Sequence, residues 1–196
     1  PRSEQDYPDN GATLAAARRY PGRIIPFAFV DLWETADADE VSRYADQGFK
    51  GLKCINPYYP YDHDGYMQVY ERAEQLKLPI LFHTGAYRPN RHHPIHRRPV
   101  LTNMHPLTLD RIARSFPGLN LVLAHLGTTF FRREAAELIK LHPNLYADLA
   151  GSGSWMAIQP SELAEWLGSC IAAVDASFSG FRKLVLGSDA YVTLPH

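Results

Sequence analysis

Short apolar runs alternate with amphipathic ones along the whole chain. Six apolar runs read as strands: "RIIPFAFVDL" (23–32), "FKGLKCI" (49–55), "PILFHTG" (79–85), "LNLVLAHLG" (119–127), "NLYADLAG" (144–151) and "KLVLGSDA" (183–190). Each is brief and apolar on both faces rather than cleanly alternating, as in parallel strands covered on both sides. Helical patterns lie between them. "ADADEVSRYADQ" carries Val41 and Tyr44 on one stripe, and "GYMQVYERAEQLKL" places Met67, Tyr70, Ala73 and Leu76 at steps of three. "HPLTLDRIARSF", "FFRREAAELIKL" and "SELAEWLGSCIAAV" (161–174) repeat the pattern. Pro106 and Pro160 stand near helix starts, where a missing N–H costs little. "YPGR" (20–23) and "FPGL" (116–119) put Gly at helix-to-strand turns.

Strand–helix alternation of this kind predicts an α/β fold with a parallel sheet. The Gly-rich GxGxxG turn that often opens a doubly wound nucleotide-binding sheet is absent. A full (β/α)8 barrel runs to about 250 residues, or about 31 per unit. The 196 residues therefore hold about six such units, matching the six strands counted. The expectation is a TIM barrel of which six of the eight strands are recognisable. With no linker or low-complexity segment in view, residues 1–196 are expected to form one domain.

The strand ends carry the candidate chemistry. They hold Asp31, Lys53, His83, His125, Asp148 and Asp189, and in barrel enzymes the C-terminal rim is where catalytic groups converge. Asp31 also reads as a cap for the following helix. Asp148 divides between capping and function. Lys53 is hard to solvate inside a buried strand, and Cys54 beside it reads as a buried apolar thiol. His83, His125 and Asp189 each follow at least three apolar residues and have a Gly within two positions. Two histidines in the same His-x-Gly context, plus "GSD", read as ligands for a catalytic Zn²⁺ or a similar divalent ion. The adjacent glycines let loop backbone pass close to whatever binds there.

Composition narrows the partners. The chain is 45% hydrophobic and 21% charged, with a net charge of −1. That balance argues against a nucleic-acid partner, which calls for a basic excess over one face. No run approaches the roughly 18 apolar residues of a membrane span. Two cysteines, Cys54 and Cys170, fit neither a disulfide framework nor a CxxC zinc site, so a reducing, cytoplasmic setting is expected.

Five stretches, "GFKGLKCINP", "LKLPILFHTG", "FPGLNLVLAHLG", "NLYADLAGS" and "KLVLGSDA", resemble the amidohydrolase superfamily. They are closest to its amidohydrolase-related branch of TIM-barrel metal-dependent hydrolases and decarboxylases. The resemblance runs from about "YPGRIIPFAFVDL" to the last residue. It implies that His83 is a metal ligand. It implies that His125 binds a second metal or touches substrate and the metal-bound water. It implies that Asp189 binds metal and handles a proton. Lys53 matches a position that in some relatives is a carboxylated, metal-bridging lysine and in others a substrate contact. The family's first-strand His-x-His pair has no counterpart here. On that alignment "RIIPFAFVDL" corresponds to the third strand, and the chain is expected to lack the first two β/α units.

The implied activity is that of a metal-dependent hydrolase. A metal-bound water would attack a C–N or C–O bond of a small, carboxylate-bearing substrate, with Zn²⁺ the first expectation and Mn²⁺ the second. Non-oxidative decarboxylation of an aromatic or unsaturated carboxylic acid is the alternative, and a non-catalytic, truncated remnant is a third reading. The loop "AYRPNRHHPIHRRPVLTNMH" follows His83 and lies over the expected mouth. Its Arg88 and Arg91 are candidate carboxylate-binding residues of a lid for an anionic small molecule. A solvated surface loop, a nucleic-acid contact, or an extra metal on His92, His93 and His96 are the other readings. Open sheet edges would invite self-association into a homo-oligomer. The tyrosines of "NPYYPYDHDGY" either line a pocket or pack a long loop.

Overall fold

The computed structural model describes residues 9–34, 36–86, 100–151, 159–166, 168, 180–187 and 189. Six strands form one sheet in chain order: β1 (Phe27–Phe29), β2 (Gly51–Cys54), β3 (Ile80–His83), β4 (Leu121–Ala124), β5 (Leu145–Asp148) and β6 (Leu184–Val185). All neighbours are parallel. Every strand falls inside one of the six apolar runs. Helices lie between strands: α2 (Ala38–Gln47), α3 (Met67–Gln75), α4 (Thr108–Ser115), α5 (Thr128–Leu141) and α6 (Pro160–Trp166), with α1 (Asn10–Arg19) ahead of β1. Sequential parallel pairing with a helix between successive strands is the wall of a (β/α) barrel, here represented by six strands.

Strand alternation divides the sheet into two faces. Ala28, Leu52, Cys54, Ile80, Phe82, Leu121, Leu123, Leu145 and Ala147 are fully buried. They pack with Val41, Val69, Tyr70, Ala73, Leu109, Ile112, Ala135 and Ile139 of the helices in one core. The other face carries Lys53, Leu81, Val122 and Tyr146, all half-buried and aligned by register across β2 to β5. At one point that face is close-packed: a Cβ on Gly51 would strike the Phe27 ring.

The helices deviate from the expected patterns in detail. In α3 the buried stripe is Val69, Tyr70 and Ala73, following a buried Tyr66, while Leu76 is exposed. The stripe thus follows the 3.6-residue period rather than steps of three. The cap of α2 is Asp37, whose side chain accepts from Asp39 N, so Asp31 does not cap this helix. Gly48 closes α2 with φ 104, a conformation that favours glycine. Helix α1 buries no residue, yet its Asn10 is tied to β1. Asn10 Nδ2 donates to Phe29 O at 3.0 Å, and Asn10 Oδ1 accepts from Phe29 N at 2.7 Å.

Two polar side chains fasten the N-terminal ends of the strands. Asn144 Nδ2 donates to the carbonyls of Ala113, Phe116 and Leu119, closing the turn between α4 and β4. Lys183 Nζ donates to the carbonyls of His142, Pro143 and Leu145, which anchors β6 to the start of β5. No helix among the described residues is long and apolar enough to cross a membrane.

Candidate functional site

The C-terminal ends of β3 and β4 bring His83 and His125 together. His83 lies two residues beyond Leu81, so alternation turns it to the half-buried face. His125 follows Ala124, and the same alternation would turn it toward the helices. The backbone reverses this. His125, Leu126, Gly127 and Thr128 have φ of 66, 41, 72 and 56: the positive φ of His125 turns its ring back to His83, and the run that follows breaks the strand.

Two threonines and a glycine stitch the loops. Thr84 Oγ1 donates to Ala124 O at 2.7 Å and accepts from Gly127 N at 3.0 Å. Thr128 Oγ1 accepts from Ala86 N at 3.0 Å. Gly85, at φ 88, passes so close that a Cβ there would strike the Gly127 carbonyl oxygen. Tyr61 supports the loop from below, donating its hydroxyl to His83 O at 2.9 Å. Tyr61 and Tyr66 are fully buried, and Tyr66 bonds the carbonyls of Leu32 and Trp33. For these two tyrosines the loop-packing reading is the correct one.

The two rings meet edge to face, with His83 Nδ1 and His125 Nε2 3.2 Å apart. The other nitrogen of each ring faces a carbonyl: His125 Nδ1 lies 2.9 Å from Ala150 O, and His83 Nε2 lies 3.3 Å from Ala86 O. A neutral imidazole has one N–H. With that N–H given to the carbonyl in each ring, the facing nitrogens both present lone pairs. Such a pair calls for a proton or a cation between them. Burial, reinforced by Lys53 and His125, holds His83 well below the ordinary histidine pKa, which opposes the proton.

Lys53 is on the same face. Burial pulls its pKa down to about 8, and the negative charges of Asp148 and Asp189 counter part of that fall. Cys54, one residue on, is fully buried in the core, and burial raises its thiol pKa. Asp148 is nearly buried, and its Oδ1 accepts from His125 N at 2.7 Å and from Ala150 N at 3.0 Å. Asp189 follows β6 with φ 50 and is half-buried. Two residues before it, Gly187 packs against Ala150, the residue whose carbonyl meets the His125 ring. Arg88 and Arg91, with His92, His93, His96, Trp155 and Cys170, lie outside the described residues.

A family model described as Amidohydrolase matches residues 4–196. The chain belongs to the amidohydrolase family. No curated protein sequence matches it. Among solved structures it is similar to 2,6-dihydroxybenzoate decarboxylase from Rhizobium, at 17% identity and a TM-score of 0.59 over 92% of this chain and 64% of that one. It is similar to a dihydroxybenzoic acid decarboxylase from a Polaromonas species with bound manganese, at 17% identity and a TM-score of 0.58 over 92% and 62% of the two chains. It is also similar to a probable 2-pyrone-4,6-dicarboxylic acid hydrolase from Acinetobacter baumannii, at 17% identity and a TM-score of 0.58 over 92% and 63%. At this identity the likeness shows the fold. This amidohydrolase chain spans about 64% of the length of the Rhizobium relative.

The residues present fit two positions of a metal site. Two nitrogens each about 2.1 Å from a divalent ion stand about 3.0 to 3.4 Å apart, and the imidazole pair falls in that range. Their carbonyl contacts are the outer-shell bonds that orient ligating histidines. Among the described residues no group of three or more His, Cys, Asp or Glu forms a metal-sized cluster. Of the residues proposed from sequence, the structure brings the His83 and His125 rings into contact, with Lys53 on the shared face. Asp189 acts on Lys53 electrostatically without joining a three-donor cluster among the described residues. The roles of Thr84 and Thr128 were not visible in the spacing. For Asp148 the sequence signal was its place at a strand end, which left capping and function both open.

Proposed function

We propose that this chain is a metal-dependent hydrolase acting on a C–N or C–O bond of a small, carboxylate-bearing substrate. The observation that supports it is the pair of facing imidazole nitrogens whose other nitrogens are committed to backbone carbonyls. His83 and His125 would hold one divalent ion, zinc or manganese; Asp189, expected from sequence as a third ligand, does not group with them among the described residues. Bound there, such an ion supplies Lewis-acid polarisation of a substrate oxygen and lowers the pKa of water toward about 7. Asp189 accepts the proton of the attacking water at its carboxylate and returns it to the leaving group. His125, with its Nδ1–H directed to Ala150 O, serves better as a ligand than as a donor to a developing oxyanion. Lys53 offers the substrate carboxylate an ammonium on the same face, with Arg88 and Arg91 proposed as further carboxylate contacts.

The test is metal stoichiometry by elemental analysis after loading the full chain with manganese or zinc. About one ion per chain, lost in the His83→Ala and His125→Ala double variant, is the expected result. A folded chain that takes up neither ion would overturn the reading. Decarboxylation of an aromatic carboxylic acid is the second reading. It is favoured by the edge-to-face pair of Trp33 and Tyr58, with ring centroids 4.8 Å apart on the loops after β1 and β2, which suits an aromatic ring. Assaying the loaded chain for released CO₂ against hydrolysis products separates the two.

A further inference from the structure

We infer that Asp148 is a positioning residue of this site, holding His125 in the turned-back conformation from which its ring meets His83. The inference rests on the proposed role of His125. Strand parity sends residue 125 toward the helices. The positive φ of His125 reverses it, and positive φ continues through Leu126, Gly127 and Thr128; three of the four are not glycine, so the turn is conformationally costly and needs an external hold. Asp148 supplies the hold where the turn begins. Its Oδ1 takes the His125 N–H at 2.7 Å, a short bond to an ionised acceptor.

The same oxygen takes the Ala150 N–H at 3.0 Å. Ala150 in turn offers its carbonyl to His125 Nδ1 at 2.9 Å. One carboxylate oxygen therefore fixes both ends of the residue: the backbone directly, and the imidazole through the Ala150 peptide. The strand supports this use. Asp148 is the last residue of β5 on the half-buried face, with 9% of its surface exposed, so its carboxylate is directed by the sheet rather than free at the surface. The peptide it fixes is hemmed in from two sides. A Cβ on Gly151 would lie 3.0 Å from His125 Nδ1, and one on Gly187 would lie 3.0 Å from Ala150 Cβ. Displacing Ala150 would therefore disturb the ring and the segment leading to Asp189 together.

The experiment uses the full chain with ¹⁵N-labelled histidine. The His125 imidazole resonances are assigned by their loss in His125→Gln. The wild-type ring is expected to carry its proton on Nδ1, facing Ala150 O. Asp148→Asn keeps an oxygen at the same reach and is expected to retain that tautomer. Asp148→Ala removes the oxygen, and Asp148→Glu carries it past both N–H groups. In these two the Nδ1–H signature is expected to be lost while the His142 resonances stay in place, and manganese binding is expected to weaken about 10- to 100-fold. If Asp148→Ala does not fold, Asp148→Glu decides. Either variant, folded and with the wild-type His125 tautomer, overturns the inference, as does a folded Asp148→Asn that loses it. The tautomer is read without metal or substrate, so failure of the metal proposal and failure of this one are separate results.

Discussion

Replacing Gly85 by alanine should disrupt the loop junction beneath the two histidines. At φ 88 the alanine would occupy a left-handed conformation, which costs roughly 1–2 kcal/mol. Its Cβ would also lie 2.6 Å from the Gly127 carbonyl carbon, where ordinary carbon contacts begin near 3.5 Å. About 0.9 Å of overlap with backbone cannot be relieved by a rotamer change, and overpacking of this kind costs about 1–3 kcal/mol. The sum is about 2–5 kcal/mol. Gly48→Ala is the internal control, since Gly48 has φ 104 and nothing within 4 Å of its would-be Cβ. It carries the conformational cost alone. Urea unfolding monitored by tryptophan fluorescence gives both values, and Gly85→Ala should exceed Gly48→Ala by roughly 1–3 kcal/mol. Equal destabilisation of the two variants would refute the close approach of the β3 and β4 loops.

Other outcomes follow from the same geometry. Burial holds Lys53 at about 8 in the folded chain against an ordinary 10.5, so the folded state sheds this proton first. Stability should therefore rise as pH climbs from about 8 to about 10.5, with the cost of roughly 3 kcal/mol fully present below that window. Lys53→Met should be more stable than wild type at pH 7 and should lack this rise, as urea titrations at several pH values will show. Asn144→Ala leaves three carbonyls of the α4–β4 turn without their shared donor and should cost about 2–3 kcal/mol in chemical denaturation. Asp189→Asn keeps the side-chain shape but not the proposed proton acceptor. It should lower kcat at least about 100-fold with KM nearly unchanged, and an undiminished kcat would remove Asp189 from the mechanism.

Much of the frame was legible in the chain because parallel strands covered on both sides must be apolar without interruption. "PILFHTG" and "LNLVLAHLG" announce β3 and β4 in this way, and their terminal histidines could be read as candidates from position alone. How His125 reaches His83 could not. The parity of β4 sends it outward, and the positive φ at 125 brings it back. Such a conformation is stabilised by partners distant in sequence, Thr84 and Asp148 among them, so no local pattern encodes it. The cap of α2 was misread for a related reason. Asp31 and Asp37 are both suitable residue types, and the choice depends on where the strand releases the chain. Helix α1 is Ala-rich and carries little periodicity, so propensity marks it better than hydrophobic pattern does.

The amide of Asn10 has a bearing on how copies of this chain behave toward one another. A free strand edge offers alternating N–H and C=O groups to any passing chain and is a template for aggregation. By taking both groups of Phe29, a single side chain imitates one residue of a neighbouring strand and leaves no register for a foreign strand to enter there. Its contribution is thus to solubility as much as to stability. In Asn10→Ala the concentration at which the protein precipitates should fall further than its midpoint of unfolding does.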